Sequence, residues 1–354
     1  AGAFLLAKKS SKKRSTLPRP SEASLRKILT LPAVESLREA LGGHGRLVTP
    51  DTSDYNEVRT ASNGTSSYNL DSVGLPSGIA VVTSAEGVAA CLRYATKHLA
   101  QRKDFFVAVA CGRHSNSCLP NNALVIDLSG LKGVEVDHEK LVAKVAGGCA
   151  LGELDAACAP FNLAAVAGHA YTTGVGGLTL QGGHGFLERK HGLAIDNLVQ
   201  ATIVIPSGDI LTVSESEHAD LFWAMRGGGG NFGVVTEFVF KLHFIPPRIT
   251  FGERVHLPLG LWRMPDRPEI ICKWAALFKD APDEATGLMI LHGGGPVIEL
   301  LMYADQPDKG NAFLAEHRRT CGWPVVDKVG PRSYHNDAQR TAPATAGQFY
   351  QTAI

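Results

Sequence analysis

Long apolar runs are the first feature that this sequence lacks. No stretch of about 18 or more apolar residues occurs in its 354 positions, which excludes a conventional transmembrane helix. A formal net charge of +1 argues against a nucleic-acid partner. No CxxC pair occurs, so neither a zinc site nor a disulfide scaffold is expected from the seven cysteines, Cys91, Cys111, Cys118, Cys149, Cys158, Cys272 and Cys321.

The near-neutral total conceals an uneven distribution of charge. Residues 1–30 hold eight Lys and Arg against Glu22 alone, a charge of +7, and the remaining chain therefore carries −6. We interpret residues 1–30 as a basic, disordered leader before a mildly acidic folded body. Because the chain begins with Ala1 rather than Met, we expect a processed or incomplete N-terminus; secretion and import into an organelle are both open.

Residues 31–245 alternate β-rich runs with helical periodicity, which predicts an α+β domain. We expect a helix over 31–41 that Gly42-Gly43 ends, and a Thr83-x-x-Glu86 capping box that begins a helix to Leu99. Pro246-Pro247 marks the boundary to a second region, 246–354, with a helix near 268–279 and strands at 287–291 and 297–304. The first region is predicted to contain strands at 78–83, 105–110, 123–128, 133–136, 141–145, 200–205, 210–213 and 234–242, and helices at 151–159 and 219–225.

Glycines cluster at three places in the first region: at Gly112, in residues 168–192 with eight glycines, and in residues 227–233. Such loops let the backbone approach a ligand closely, and their N–H groups can bind a pyrophosphate. Tight packing between helices and sheets is the alternative for any single cluster. Three clusters in one domain favour a nucleotide cofactor.

Other cofactor and hydrolase motifs have little support. Gly228-x-Gly230-x-x-Gly233 satisfies the dinucleotide-binding pattern, but it follows a predicted helix and precedes a predicted strand, which is the reverse of a Rossmann unit. The P-loop, HExxH and GxSxG motifs are absent. A Rossmann NAD site, ATP hydrolysis and serine-hydrolase chemistry are therefore not indicated.

Four blocks of sequence resemble one family in order and spacing. They are VACGRHS at 109–115, GHAYTTGVGGL at 168–178, QGGHG at 181–185 with RKHGL at 189–193 and DNL at 196–198, and DLFWAMRGGGGNFGVVT at 220–236. Together they resemble the FAD-linked oxidases of the vanillyl-alcohol-oxidase fold, and in particular the berberine-bridge-enzyme-like branch. The resemblance implies a PCMH-type FAD-binding domain of two α+β subdomains over 31–245, followed by an incomplete α+β substrate domain over 246–354.

The resemblance also implies roles for particular residues. His114 matches the histidine that members bond covalently to the flavin 8α-methyl group. Many members have a second bond from a cysteine, but the matching position here is Ala170, so a single histidyl bond is expected. His169 and Tyr171 are candidates to face the substrate. The residues expected to bind the cofactor are Gly112, Arg113, His114, Ser115, Thr172, Thr173, Gly174, Gly177, Gly183, Gly185, Asn197, Gly230, Gly233 and Val235, and no metal ligand is expected.

The family reaction passes a hydride from an alcohol, sugar or amine carbon to flavin N5, and oxygen then regenerates the flavin and leaves as hydrogen peroxide. The expected partners are therefore a small hydroxylated substrate and O2. A flavin dehydrogenase with another acceptor and a flavin-binding protein without turnover are the alternatives. No motif assigns the catalytic base; Glu299 and Tyr303 are the side chains we consider. Family members continue beyond the position of Ile354, so we expect either a fragment or a shortened protein.

Overall fold

The computed structural model describes residues 20–25, 28–62, 65–66, 73–115, 117–257, 266–291 and 296–338. These residues form two compact units, and the chain passes from the first to the second at Gly130–Leu131. The expected boundary at 245/246 lies inside the second unit, so the division into leader, FAD-binding domain and partial substrate domain stays a prediction. Most of the expected leader, residues 1–19, lies outside the described residues.

The first unit is built on a four-stranded sheet with the order β1-β4-β6-β5, in which β4 and β5 both pair parallel to the central β6. The central strand is fully buried, and the edge strand β5 ends at the buried Ala110, where the first glycine cluster begins. The elements are α1 (Glu22–Leu25), α2 (Val34–Leu41), β1 (Gly45–Val48), α3 (Tyr55–Thr60), β2 (Ala61–Ser62), β3 (Thr65–Ser66), β4 (Gly78–Val82), α4 (Ala85–His98), β5 (Phe106–Ala110) and β6 (Ala123–Asp127).

The start of α4 corrects one expectation. The N-cap is Ser84, whose hydroxyl accepts a hydrogen bond from the Gly87 amide at 3.3 Å, and not Thr83. The Thr83 amide instead donates to the His44 carbonyl at 2.9 Å, which holds Thr83 beside the preceding segment. The capping-box pattern therefore located the helix but placed its first residue one position too early.

The second unit contains a five-stranded antiparallel sheet with the order β11-β10-β12-β8-β7, and the expected hairpin pairs β10 with β11. Buried side chains of β8, β10 and β12 pack against α5 and α8. The elements of this part are β7 (Val134–Asp137), β8 (Val142–Ala146), α5 (Leu151–Cys158), β9 (Leu163–Ala164), α6 (Val175–Thr179), α7 (Glu188–His191), β10 (Leu198–Val204), β11 (Ile210–Ser214), α8 (Ala219–Gly228), β12 (Val234–Lys241) and β13 (His243–Phe244).

A second antiparallel sheet in the same unit has the order β15-β16-β14-β17, and β18 also pairs with β14. Helices α9 and α10 pack on one of its faces. The sequence did not predict β14 or α10. The elements are β14 (Ile249–His256), α9 (Arg267–Lys279), β15 (Ala285–Leu291), β16 (Val297–Tyr303), α10 (Pro307–Cys321), β17 (Val326–Asp327), β18 (Gly330–Arg332) and a π-helical turn (Tyr334–Ala338).

Candidate functional site

The turn that follows β5 in the first unit is anchored by Arg113. This residue has a φ of +54°, and its buried guanidinium donates to the Val58 carbonyl and to the Asp127 carboxylate, each at 2.6 Å. The other Asp127 oxygen accepts from the Ser129 amide at 3.0 Å. Arg113 therefore points into its own unit, and only its main chain is placed to face a cofactor.

The neighbours of Arg113 become progressively more exposed along the turn. Gly112 is buried, His114 is half-buried and Ser115 is exposed. The Ser115 hydroxyl lies 2.8 Å from that of Ser117 and also accepts from the Ser117 amide at 3.2 Å. The half-buried imidazole of His114 thus sits on a turn whose two sides are held by an internal ion pair and by a serine-based loop.

In the second unit, the glycine-rich segment (residues 168–192) begins alongside the start of α5. The Leu151 amide donates to the Thr173 carbonyl and the Gly152 amide to the Tyr171 carbonyl, both at 2.9 Å. The Val175 amide donates to the Cys149 carbonyl at 3.0 Å, and Gly174 forms an isolated bridge with Ala150. These bonds fix the main chain of Thr172, Thr173 and Gly174 through the neighbouring strand-to-helix turn.

Packing within the protein explains three of the predicted cofactor-binding glycines. A Cβ at Gly185 would collide with the Ala167 carbonyl, and one at Gly233, whose φ is +154°, would collide with the Val204 carbonyl. Gly183 has a φ of +83°, and a Cβ there would lie 2.6 Å from the Ala194 side chain. Glycine is required at these positions whether or not a ligand is bound.

Packing does not explain Gly177 and Gly230. Apart from the adjacent residues and, for Gly177, the backbone of its own helix, no described atom lies within 4 Å of a Cβ built at either position, and neither backbone is in the left-handed region. Both residues are exposed. They therefore leave room beside the backbone that a ligand can occupy.

The third glycine cluster meets the glycine-rich segment directly. The amides of Gly227 and Gly229 both donate to the Leu180 carbonyl, at 3.2 and 3.1 Å. Helix α8 is broken at Arg226 and Gly227, and the loop then leads into β12. The GxGxxG pattern thus lies between a helix and a strand, which agrees with the sequence argument against a Rossmann site.

Asn197 and Val235 are held by the protein itself. The Asn197 amide group donates to the carbonyls of His191 and Leu193, both at 2.9 Å, and its oxygen accepts from His243 Nε2 at 2.7 Å. The His191 and His243 rings are stacked with centroids 3.7 Å apart, and burial lowers the pKa of His243 to about 4. The Val235 side chain is in the core, so both residues shape the loop, and Val235 can reach a ligand only through its main chain.

Among the described residues, α9 and α10 cover only one face of the sheet that contains β14, β15 and β16. Cross-strand pairing puts Val255, Ile298 and Ile290 on the other face, with Glu253, Leu300 and Leu288 in the next row. All six side chains are half-buried or exposed. We call these six residues the open face.

The open face adjoins the glycine-rich segment. In the row beyond Glu253, Phe251 packs in a buried cluster with Phe186, with ring centroids 5.6 Å apart in an edge-to-face arrangement. The rings of Phe186 and His169 are also perpendicular to each other, with centroids 4.3 Å apart. Burial lowers the pKa of His169, which favours its neutral form. A half-exposed apolar surface with one carboxylate, from Glu253, therefore lies next to the segment expected to bind the flavin.

The opposite face of this sheet is covered by α9 and α10. Tyr303 and Glu299 both point to it, and they are only 7% and 0% exposed. Tyr303 packs against Phe313 of α10. Neither side chain reaches the open face, so neither is supported as the base of the reaction.

Glu299 belongs to a buried polar cluster between the sheet and α10. Its Oε2 lies 3.3 Å from His256 Nε2 and 3.2 Å from His317 Nε2. Arg254 Nη1 lies 2.8 Å from His317 Nδ1. Burial raises the pKa of Glu299, but the two histidines outweigh this effect and hold the pKa at about 2.

The donor types in this cluster are those of a zinc site, since ligand atoms of Glu299, His317 and Cys321 lie within 4.8 Å of one another. The contact with Arg254 opposes that interpretation. A guanidinium can only donate, so His317 Nδ1 accepts and the ring proton is on Nε2, where a metal would need the lone pair. We therefore interpret the cluster as a network of buried charges rather than a metal centre.

Comparison with known proteins identifies the domain. Residues 76–214 match the family model described as an FAD binding domain. The chain therefore carries an FAD-binding domain. The sequence resemblance to this family is thereby confirmed, and so is the mixed α+β class of the domain.

Several curated proteins that are named as oxidases are similar to this chain in sequence. The (R)-6-hydroxynicotine oxidase of Paenarthrobacter nicotinovorans is 35% identical over 218 residues, which cover 61% of this chain and 45% of the relative. The chitooligosaccharide oxidase of Gibberella zeae is 30% identical over 304 residues, covering 84% of this chain and 58% of the relative. The chain spans about half the length of the curated relatives it matches.

Solved structures of FAD-linked oxidases agree with the fold. The 6-hydroxy-D-nicotine oxidase of Arthrobacter nicotinovorans superposes with a TM-score of 0.69 at 29% identity, over 82% of this chain and 62% of the other. The glucooligosaccharide oxidase of Acremonium strictum gives 0.71 at 26% identity, over 86% and 62%. Among the described residues, no helix is both long enough and apolar enough to span a membrane.

The types of chemical group that these residues offer are suited to binding an FAD. Gly177 in helix α6 and Gly230 in the loop after α8 leave uncovered backbone in two segments that contact each other. The turn at 112–115 offers main-chain N–H groups beside a half-buried imidazole. These are the groups suited to a pyrophosphate and to a covalent flavin bond. Which of them contact the cofactor stays a proposal.

Gly230→Val tests the role of this loop. Because a Cβ at Gly230 would meet no other described atom within 4 Å and the position requires no strained φ, we expect the fold to be retained. We expect the flavin-to-protein absorbance ratio to fall several-fold, since each 1.4 kcal/mol of clash costs about tenfold in affinity. Gly330→Val is the matched control, because its Cβ also meets open space. Full flavin loading of Gly230→Val, or equal loss in the control, would contradict a cofactor role for Gly230.

Proposed function

We propose that this chain is an FAD-dependent oxidoreductase, and an oxidase in particular, that acts on a small hydroxylated molecule. The observation that carries the proposal is the FAD-binding domain, with two exposed glycines, Gly177 and Gly230, that no packing contact among the described residues explains. Relatives named as oxidases of 6-hydroxynicotine and of chitooligosaccharides support oxygen as the acceptor.

The cofactor-binding groups proposed are those expected from the sequence, with their roles refined by the structure. The main chain of Gly112–Ser115 and of Thr172–Gly174, together with Gly177, Gly230 and Val235, would contact the FAD. Gly183, Gly185, Gly233 and Asn197 would act by shaping the loops, because packing and internal hydrogen bonds already account for them. Arg113 would hold the turn through Asp127.

We propose further that His114 carries the only covalent bond to the flavin. The glucooligosaccharide oxidase structure contains an FAD with a 6-S-cysteinyl and an 8α-histidyl linkage. In this chain Ala170 stands at the position that matches the cysteine, and an alanine has no atom able to form a thioether. The half-buried His114 is then the sole nucleophile available at the two matching positions.

The chemistry divides between cofactor and protein. A bound FAD would supply the redox chemistry, a hydride acceptor that O2 can regenerate, so that an alcohol and O2 would become a carbonyl compound and hydrogen peroxide. The protein binds and orients the substrate. The aliphatic side chains of the open face would pack against a bound substrate. Glu253, whose carboxylate lies 3.4 Å from Lys328 Nζ, would accept a hydrogen bond from a substrate hydroxyl.

Three outcomes separate the oxidase from its alternatives. The purified protein is screened with 6-hydroxynicotine and chitooligosaccharides for peroxide, and its flavin is then reduced anaerobically and mixed with O2 in a stopped-flow instrument. Peroxide formation with reoxidation faster than turnover supports the oxidase. Substrate-dependent reduction with slow reoxidation by O2 indicates a dehydrogenase. A bound flavin that no substrate in the panel reduces favours a flavin-binding protein without turnover.

A further inference from the structure

The side chain of Arg189 reaches from the glycine-rich segment to the end of α9. Its Nη1 donates to the Phe278 carbonyl at 3.1 Å and its Nη2 to the Ala281 carbonyl at 2.9 Å. The last carbonyls of a helix have no partner within the helix, and a cation is favoured there. A planar guanidinium satisfies two carbonyls at once, which a lysine ammonium does not do in the same geometry.

The neighbouring residue reinforces this contact. Lys190 Nζ lies 3.3 Å from the Glu284 carboxylate, immediately before β15 begins at Ala285. We call residues 280–284, which connect α9 to β15, the corner. Two consecutive basic residues of the glycine-rich segment therefore bind at its two ends. The pair joins positions about 90 residues apart in the chain.

The corner determines where the outer strand of the open face starts. Leu288 and Ile290 of β15 belong to that face, and among the described strands β15 pairs with β16 only. The free side of β15 has no strand to fix it within the described residues. Its first residues are held to the glycine-rich segment through Arg189 and Lys190.

We infer that Arg189 is a positioning residue, which sets the distance between the glycine-rich segment and the outer strand of the open face. The inference rests on the proposed function, because the gap it controls is the space between flavin and substrate face. A displacement of this strand would change access to the flavin without removing any group that contacts the cofactor. Arg189 would then act on the reaction only through β15.

The test compares Arg189→Gln and Arg189→Lys with wild type in the flavin-loaded full chain. Hydrogen–deuterium exchange of peptides over 279–291 reports the corner, and the rate of sulfite addition to the flavin reports access to it. We expect faster exchange in 279–291 and a several-fold faster sulfite reaction in both variants, with flavin content unchanged. Arg319→Gln, which removes an exposed guanidinium paired with Glu316 on α10, should match wild type in both measurements.

Two results would overturn the inference. Wild-type exchange in 279–291 of Arg189→Gln would show that the corner does not depend on the guanidinium. Faster exchange with an unchanged sulfite rate would show a contact that is structural only. Failure of the proposed function looks different: wild-type protein would then lack flavin, while the exchange difference between wild type and Arg189→Gln would still be measurable.

Discussion

His114→Ala protein is expected to release all of its flavin on acid precipitation, whereas wild-type protein keeps the flavin in the pellet. The bond proposed at His114 is covalent, so acid denaturation removes a flavin only where that bond is missing. Visible absorbance of the pellet and the supernatant measures the two fractions. The effect is expected to be all-or-none, because Ala170 leaves no second bond at the matching position.

A matched variant controls for general effects of losing an imidazole. His184 lies in the glycine-rich segment, is exposed, and has its Nδ1 2.8 Å from Glu188. We expect His184→Ala to keep its flavin in the pellet. Flavin in the wild-type supernatant, or in the His114→Ala pellet, would refute the covalent assignment.

Glu299→Ala is expected to lower the free energy of unfolding by about 3–5 kcal/mol, because it removes one partner from a buried network of charges. Arg254, Glu299 and His317 are each 0% exposed, so loss of the carboxylate leaves buried polar groups without their acceptor. Urea or guanidinium unfolding, followed by circular dichroism, measures the change.

Glu316→Ala is the control for this prediction. Glu316 pairs with Arg319 on the exposed side of α10, and its loss is expected to cost at most about 1 kcal/mol. Equal stability of Glu299→Ala and Glu316→Ala would show that the buried cluster does not hold α10 to the sheet. The network interpretation would then be wrong.

The sequence predicted the parts of the fold whose signals are local. Strand β6 is a continuous apolar run and is fully buried, and the hairpin of β10 and β11 is marked by Pro206-Ser207-Gly208-Asp209. Helix α4 was found from its periodicity, although its cap was misplaced by one residue. Family motifs supplied the order of the cofactor loops, which composition alone does not give.

Strand β14 and helix α10 could not be predicted because their patterns depend on partners elsewhere in the chain. Strand β14 carries Arg254 and His256 on a face that is buried only because Glu299 and His317 compensate them. Helix α10 contains Gly310, which is needed where the helix passes close to Thr250. Polar residues and a glycine weaken the local signals for a buried strand and a helix.

The roles of residues in the candidate site were also hard to predict where their partners lie elsewhere in the chain. Glu299 was considered as a base because an acidic residue in an apolar strand looks functional, yet its histidine partners come from two other elements. Arg189 was visible only as part of a family motif, because its carbonyl acceptors lie about 90 residues further along the chain. Strand alternation could have placed Glu253 on the open face if β14 had been recognised.

The flavin content of the purified wild-type protein tests the central claim most directly. We expect yellow protein with about one FAD per chain, measured from the visible absorbance and from the mass of the flavin-bearing peptide. Colourless protein that circular dichroism shows to be folded, and that takes up no flavin on incubation with FAD, would contradict it.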